Sequence, residues 1–254
     1  GKFATENDKA LSAVLDSGNF ADLIGNTQSG SDAYKKLYAG GLVSVVSTTT
    51  YDALIDGCVN RGNVSVGFEP DGQTDNLDKT AGGMIAHVED LSKGATLTIR
   101  NSANYGDVTG ENAAGVIATF GANPNYTATK CEIENCACYG SVSGRTCAAL
   151  AVGDWDKPKV AFTRTIDNSF FVADAELGLP VVGGLEEGFV LTNLVMSTDG
   201  DYTCAIARQT LDLVAAENGY ERWVDGKVGG GDYPELKIFC ANPPTVKGLM
   251  LIFR

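Results

Sequence analysis

Basic charge is what this chain most lacks. Nineteen Lys and Arg stand against 32 Asp and Glu, a net charge of −13. Phosphate contacts need cations, so nucleic acid is not an expected partner and anionic membrane surfaces repel the chain. Long apolar runs are missing too. No stretch approaches the roughly 20 residues of a membrane-spanning helix, so direct membrane insertion is not expected. Proline is scarce, with 7 residues beside 31 glycines, which reads as many tight turns in a regular fold rather than disorder. Histidine occurs once, at His87, which leaves little support for a metal site or a Cys–His nucleophile pair. No phosphate-cradling loop, nucleotide fingerprint or serine-hydrolase elbow is present. The opening "GKFATENDK" lacks the apolar segment of a signal peptide.

Seven cysteines are present, Cys58, Cys131, Cys136, Cys138, Cys147, Cys204 and Cys240, and an odd number excludes complete internal pairing. Cys131, Cys136, Cys138 and Cys147 invite a zinc reading. They lack paired C-x(2)-C spacing and have no histidine nearby, so small buried residues in a strand-rich core are the preferred reading. No cofactor is expected.

What the chain does have is a repeat. "LIDGCVNRGNVSV" (54–66), "TIRNSANYGDVTG" (98–110), "EIENCACYGSVSG" (132–144) and "TIDNSFFVADAEL" (165–177) align. Each carries Ile at its second position, Ile55, Ile99, Ile133 and Ile166. A small residue follows three positions on: Cys58, Ser102, Cys136 and Ser169. The first three share Gly62, Gly106 and Gly140, then Val64, Val108 and Val142. The fourth has Ala173 and Ala175 instead.

A second ladder precedes each of these: "YAGGLVSVV" (38–46), "TAGGMIAHV" (80–88), "NAAGVIATF" (112–120) and "TCAALAVGD" (146–154). "PVVGGLEEG" from Pro180 starts a further one. Alternation identifies strands. The spacing is 44 residues from Gly62 to Gly106 and 34 from Gly106 to Gly140, with the variation between the strands. Loop insertions at fixed strand spacing suit a solenoid whose equivalent residues stack about 4.8 Å apart. The expected fold is all-β, a right-handed parallel β-helix of about four to five coils. An antiparallel propeller or sandwich is the alternative.

The segments "GGLVSVV…IDGCVNRGNVS", "GGMIAHV…IRNSANYGDVTG" and "AGVIATF…IENCACYGSVSG" resemble the GLUG-type repeat, over about residues 38–175. The tail "YERWVDGKVGGGDYPELK" (220–237) is similar to the Trp and Tyr-Pro-x-Leu segment that closes such arrays. The resemblance implies a β-helix on a secreted or surface protein of bacteria, including Bacteroides-type proteins, commonly described as adhesin-like. It implies no catalytic residues. Departures are the degraded fourth unit and Cys138, which stands where Asn60 and Asn104 stand in the other units.

The ends of an open stack need caps. Residues 6–26, with Leu11, Val14 and Leu15 at helical spacing, read as a short N-terminal helix. Residues 202–223 read as a helix near the C-terminus, stopped at Asn218-Gly219. "GLMLIFR" (248–254) reads as a short strand. The expected layout within one domain is a helical cap over 1–37, coils over 38–190 and a capping segment over 191–254.

Candidate chemistry is sparse. Residues 71–79 lack the Gly and Glu of an EF-hand, which leaves only a looser calcium site. Asp154 and Asp156 flank Trp155, a pairing that suits a glycosidase or lyase site, against a solvated acidic turn. Tyr105 and Tyr139 are stacked equivalents with Arg61 below. Facing outward they form a ladder for sugar rings; filling the turn they are packing, the favoured reading. His87 is expected on the face opposite Ala86, exposed or loop-covered. In "NYGDVTG" (104–110) only Tyr105 and Asp107 are left free of structural duty.

Three functions follow as expectations. The first is a non-catalytic, adhesin-like surface module that binds a glycan or a host or bacterial surface protein. The second is a polysaccharide-active enzyme on the same scaffold, and the third a structural spacer in a larger surface protein. The expected location is extracellular or at the cell surface, with an export signal removed ahead of residue 1.

Overall fold

In the computed structural model of the protein, the described residues are 12–15, 17–19, 21, 23–25, 36–46, 52–67, 78–88, 95–120, 130–148, 151–152, 163–167, 169–173, 182–183, 189–192, 194–198, 223–225 and 234–236. They are all-β: five stacked sheets of parallel strands and one small antiparallel pair, with no helix among the described residues. The first sheet takes Ser12–Leu15, Ala53–Asp56, Thr96–Arg100, Lys130–Glu134, Thr163–Asp167 and Phe189–Thr192. The second takes Gly18–Asn19, Val59–Asn60, Ala103–Asn104, Ala137–Cys138, Phe170–Ala173 and Val195–Thr198. The third runs from Leu23–Gly25 to Val142–Ser143 and the fourth from Lys36–Gly40 to Thr146–Ala148, with four strands each. The fifth runs from Val43–Val46 to Val182–Gly183, with five. The chain visits the sheets in the same order on each of its first four passes.

The repeat sets the register. Ile55 pairs with Ile99, Ile99 with Ile133 and Ile133 with Ile166. Val64, Val108 and Val142 pair in the third sheet, and Val46, Val88 and Phe120 in the fifth. These side chains form the apolar interior with Leu97, Met84, Ile85 and Ile117. Burying one such side chain contributes roughly 1.5–3 kcal/mol, and a register slip of one residue turns every one of them outward.

The expected N-terminal helix is corrected. Ser12–Leu15, Gly18–Asn19 and Leu23–Gly25 are strands that pair with Ala53–Asp56, Val59–Asn60 and Val64–Val66. Val14 takes the position of Ile55, Asn19 that of Asn60, and Leu23 that of Val64. Pairing satisfies the edge of each sheet, and a short isolated helix has too little cooperativity to compete. The stacked strands thus begin before residue 38 and continue past 190, through Val195–Thr198. Of the expected C-terminal helix only Trp223 is described, and it lies in strand Trp223–Asp225. The rest of that segment, the stretch at 248–254 and residues 71–77 lie outside the described residues.

Two polar ladders hold the corners. Asn19 Nδ2 donates to Asn60 Oδ1 and Asn60 Nδ2 to Asn104 Oδ1, both at 2.8 Å, and Asn60 and Asn104 also donate to the carbonyls of Gly62 and Gly106. Close backbone approach accounts for the Gly-Gly pairs, and the Asn ladder abuts the second glycine of each. A Cβ on Gly82 would strike the Ile85 carbonyl, and one on Gly83 the Gly115 carbonyl and Asn104 Cγ. The second ladder follows the first sheet. Asn101 and Asn135 sit at φ 49° and 53° beside Gly57 at 69°, a left-handed corner that Asn and Gly tolerate. Asn135 Nδ2 donates to Asn101 Oδ1 at 2.7 Å, and Asn101 Nδ2 to Asp56 Oδ1 at 2.8 Å.

Candidate functional site

The second sheet brings the two candidate tyrosines together. Its alternation turns Asn60, Asn104 and Cys138 into the ladder and leaves Val59, Ala103 and Ala137 for the outer face. Tyr105 and Tyr139 follow directly, fixed by Tyr105 N–H to the Asn60 carbonyl at 2.7 Å and Tyr139 N–H to the Asn104 carbonyl at 2.8 Å. Their rings stack with centroids 4.8 Å apart and planes 10° apart, the rung spacing itself. The Arg61 guanidinium lies over the Tyr105 ring, 5.3 Å from its centroid.

This face is partly covered from the same chain. Strands Trp223–Asp225 and Pro234–Leu236 pair antiparallel, Trp223 opposite Leu236. Trp223 and Leu236 are buried in one cluster with Val59, Ala103 and Ala137, and both tyrosines pack against it. Glu235 pairs with Arg61 at 3.5 Å. The tyrosines therefore face outward and pack as well, which the sequence treated as alternatives. Trp223 and the Pro234–Leu236 stretch form the paired strands, but nothing in the chain's order says where they dock.

The first sheet carries a second face, which motif reading missed. Thr98, Arg100, Glu132, Glu134, Thr165 and Asp167 alternate with the buried Leu97, Ile99, Cys131, Ile133 and Ile166. The signal was the alternation in "TLTIR", "KCEIE" and "TRTID". Asp56 is buried and doubly satisfied, by Arg100 Nε at 3.0 Å and by Asn101. Burial raises the Glu134 carboxyl pKa above the usual range. Glu132 and Asp167 push it the same way, and Arg100 opposes them. Thr98 Oγ1 donates to Glu132 at 3.4 Å, and Thr192 Oγ1 to Asp167 at 2.7 Å.

Several expected candidates resolve differently. Asp107 is not free of structural duty: its Oδ1 accepts the Ser141 N–H at 2.9 Å, as Asn63 Oδ1 accepts the Asp107 N–H. His87 matches Val45 and Thr119 in register, as the ladder predicts. It is buried rather than exposed, stacked on Tyr38 at 4.6 Å with Nδ1 2.8 Å from Thr119 Oγ1. Cys58, Cys131, Cys136 and Cys138 are buried free thiols, and Cys147 is a partly exposed one. Burial pushes Cys138 up to about 11 and raises Cys136 further. Among the described residues no three His, Cys, Asp or Glu side chains are grouped to hold a metal ion. No helix there is long and apolar enough to cross a membrane. Asp154, Trp155 and Asp156 lie outside the described residues.

The described residues thus offer two faces built by repetition, one of charged and hydroxyl rows and one of stacked rings. Comparison with known proteins finds no family model, curated protein or solved structure that matches this chain at a significant level.

Proposed function

We propose that the five sheets are the sides of a right-handed parallel β-helix of the GLUG-repeat kind, and that the protein is a non-catalytic, adhesin-like module of an extracellular or cell-surface protein. The constant order of sheets and the rung-by-rung register support the helix, and the right-handed rule for parallel crossovers supports its hand. The observation that carries the function is the outer face of the first sheet. Its rows of Thr and charged side chains recur at the strand spacing across Thr96–Arg100, Lys130–Glu134 and Thr163–Asp167. Such a face fits a repeating glycan or an extended protein segment. A net charge of −13 turns it away from polyanions.

The test is an array of neutral glycans and purified surface proteins, probed with the parent and with Glu132→Lys/Asp167→Lys. Binding that the reversal abolishes while the circular-dichroism spectrum stays that of the folded parent is the expected outcome. Glycan cleavage lost on Asp154→Ala/Asp156→Ala would instead establish the polysaccharide-active enzyme. The spacer reading has its own support: in the column Asn63–Asp107–Ser141, Asn63 and Asp107 direct their side chains to the backbone of the next rung. An empty array would favour it.

A further inference from the structure

We propose that the protein stacks end to end with second copies of itself. The last strands of the first and second sheets, Phe189–Thr192 and Val195–Thr198, take up the first strands of the next copy, Ser12–Leu15 and Gly18–Asn19. The proposal goes beyond the binding role and does not rest on it. Among the described residues these four strands are the edges of their sheets. An edge strand offers unpaired N–H and C=O groups to another chain, and proteins commonly blunt it with charge or proline. Here the reverse holds. In the first sheet Ala53–Asp56, Thr96–Arg100, Lys130–Glu134 and Thr163–Asp167 each carry a charged residue, whereas the edge strands "SAVL" and "FVLT" carry neither charge nor proline. The edges of the second sheet, "GN" and "VMST", carry none either. Val190, Leu191 and Thr192 are all exposed. Leu191 continues the isoleucine column, in which Ile166 on the rung before is fully buried.

The occupant follows from the stack itself. Every pairing in both sheets is parallel, from Ser12–Leu15 on Ala53–Asp56 at one end to Thr163–Asp167 on Phe189–Thr192 at the other. A copy translated along the stack therefore meets the edge in the orientation of the chain's own next rung. Val14, at the head of the isoleucine column, is then set on Leu191. The polar ladder makes no demand across the junction. Asn19 Nδ2 donates to the Ala21 carbonyl and to Asn60, and its Oδ1 accepts the Ala21 N–H. The edge strand of the fourth sheet, by contrast, carries Lys36, which confines the pairing to the first two sheets. A contact between two different ends, related by translation, does not close on itself, so copies keep adding. The net charge of −13 opposes the contact, and salt relieves that repulsion.

Sedimentation velocity of the whole chain over a range of concentrations tests this, at about 10 mM and about 1 M NaCl, between which the Debye length falls from about 30 Å to about 3 Å. The parent should grow past a dimer, and further at the higher salt. Leu191→Lys should weaken the association by at least about tenfold. Val14→Lys should do the same from the other end. An equimolar mixture of the two variants should form a heterodimer and stop there, since each keeps one intact end. Circular dichroism checks both folds. Should Val14→Lys disturb its rung, Leu191→Lys decides alone, because Leu191 is already exposed. In the parent, the amides of 190–192 should exchange more slowly as concentration rises. A parent that stays monomeric at both salts overturns the proposal, as does association that Leu191→Lys leaves unchanged. Growth that ends at a dimer makes the contact two-fold and overturns the end-to-end order. Amides of 190–192 protected equally at every concentration mean that the chain covers its own edge, which overturns it as well. None of these results bears on the first sheet's outer face, which the charge-reversed variant tests separately.

Discussion

At the scale of single residues, each rung is a choice between a side chain that continues a ladder and one that ends it. Cys138 ends one: Asn104 Nδ2 reaches its sulfur at 3.7 Å, where the rung below has an amide oxygen at 2.8 Å. Cys138→Asn offers that oxygen, and its own amide hydrogen to the Gly140 carbonyl, which Cys138 Sγ now approaches at 3.7 Å. The expected gain is about 1 kcal/mol, read from denaturant unfolding. A loss would show that Phe171, paired on the next rung, already fills the space. The glycines make the opposite test. Gly83→Ala drives a methyl into the Gly115 carbonyl and Asn104, and should cost at least roughly 1–3 kcal/mol. Gly67→Ala, with nothing within 4 Å, should leave stability within about 1 kcal/mol of the parent.

At the scale of elements, the first sheet shows what parallel stacking does to charge. Identical positions lie a strand apart, so Glu132, Glu134 and Asp167 crowd on one face. The Glu134 pKa is raised by burial first and by those neighbours next, less the pull of Arg100. A carboxyl whose folded pKa exceeds its unfolded value binds its proton more tightly in the folded state. It therefore favours folding below the ordinary Glu range, and that contribution is lost as pH rises through the raised value. Glu134→Gln should raise Tm at pH 7 and leave it nearly unchanged at pH 4, as thermal melts would read directly. Equal shifts at both pH values would point to packing rather than ionisation. The open end of the same sheet is visible in strand Phe189–Thr192. There Leu191 takes the position of the buried Ile166 and is 41% exposed.

At the scale of the molecule, the repeat was readable and its extent was not. Ile55, Ile99, Ile133 and Ile166 announce a stack because parallel strands put like on like. The earliest pass hides: Val14, Asn19 and Leu23 keep the polarity of the pattern without its glycine, and Leu11, Val14 and Leu15 imitate helical spacing. Local periodicity over ten residues cannot separate the two, whereas a partner strand across 41 residues can, as Ser12 on Ala53 shows.

The sequence by itself determined the ladders. It placed isoleucine on isoleucine and valine on valine, the Gly-Gly pairs at the corners, the small residues after each first strand and the net negative charge. Those follow from residue size, apolarity and period, which are local properties. Only the tertiary structure decided which surfaces stay open. The hairpin around Trp223 docks on Val59, more than 160 residues earlier in the chain, and the two tyrosines pack against that cluster, a covering that no linear reading could place. Asp107 likewise acquired its duty from Ser141, one rung away. Docking and rung-to-rung bonding join residues remote in sequence, and no local pattern records which of them will meet.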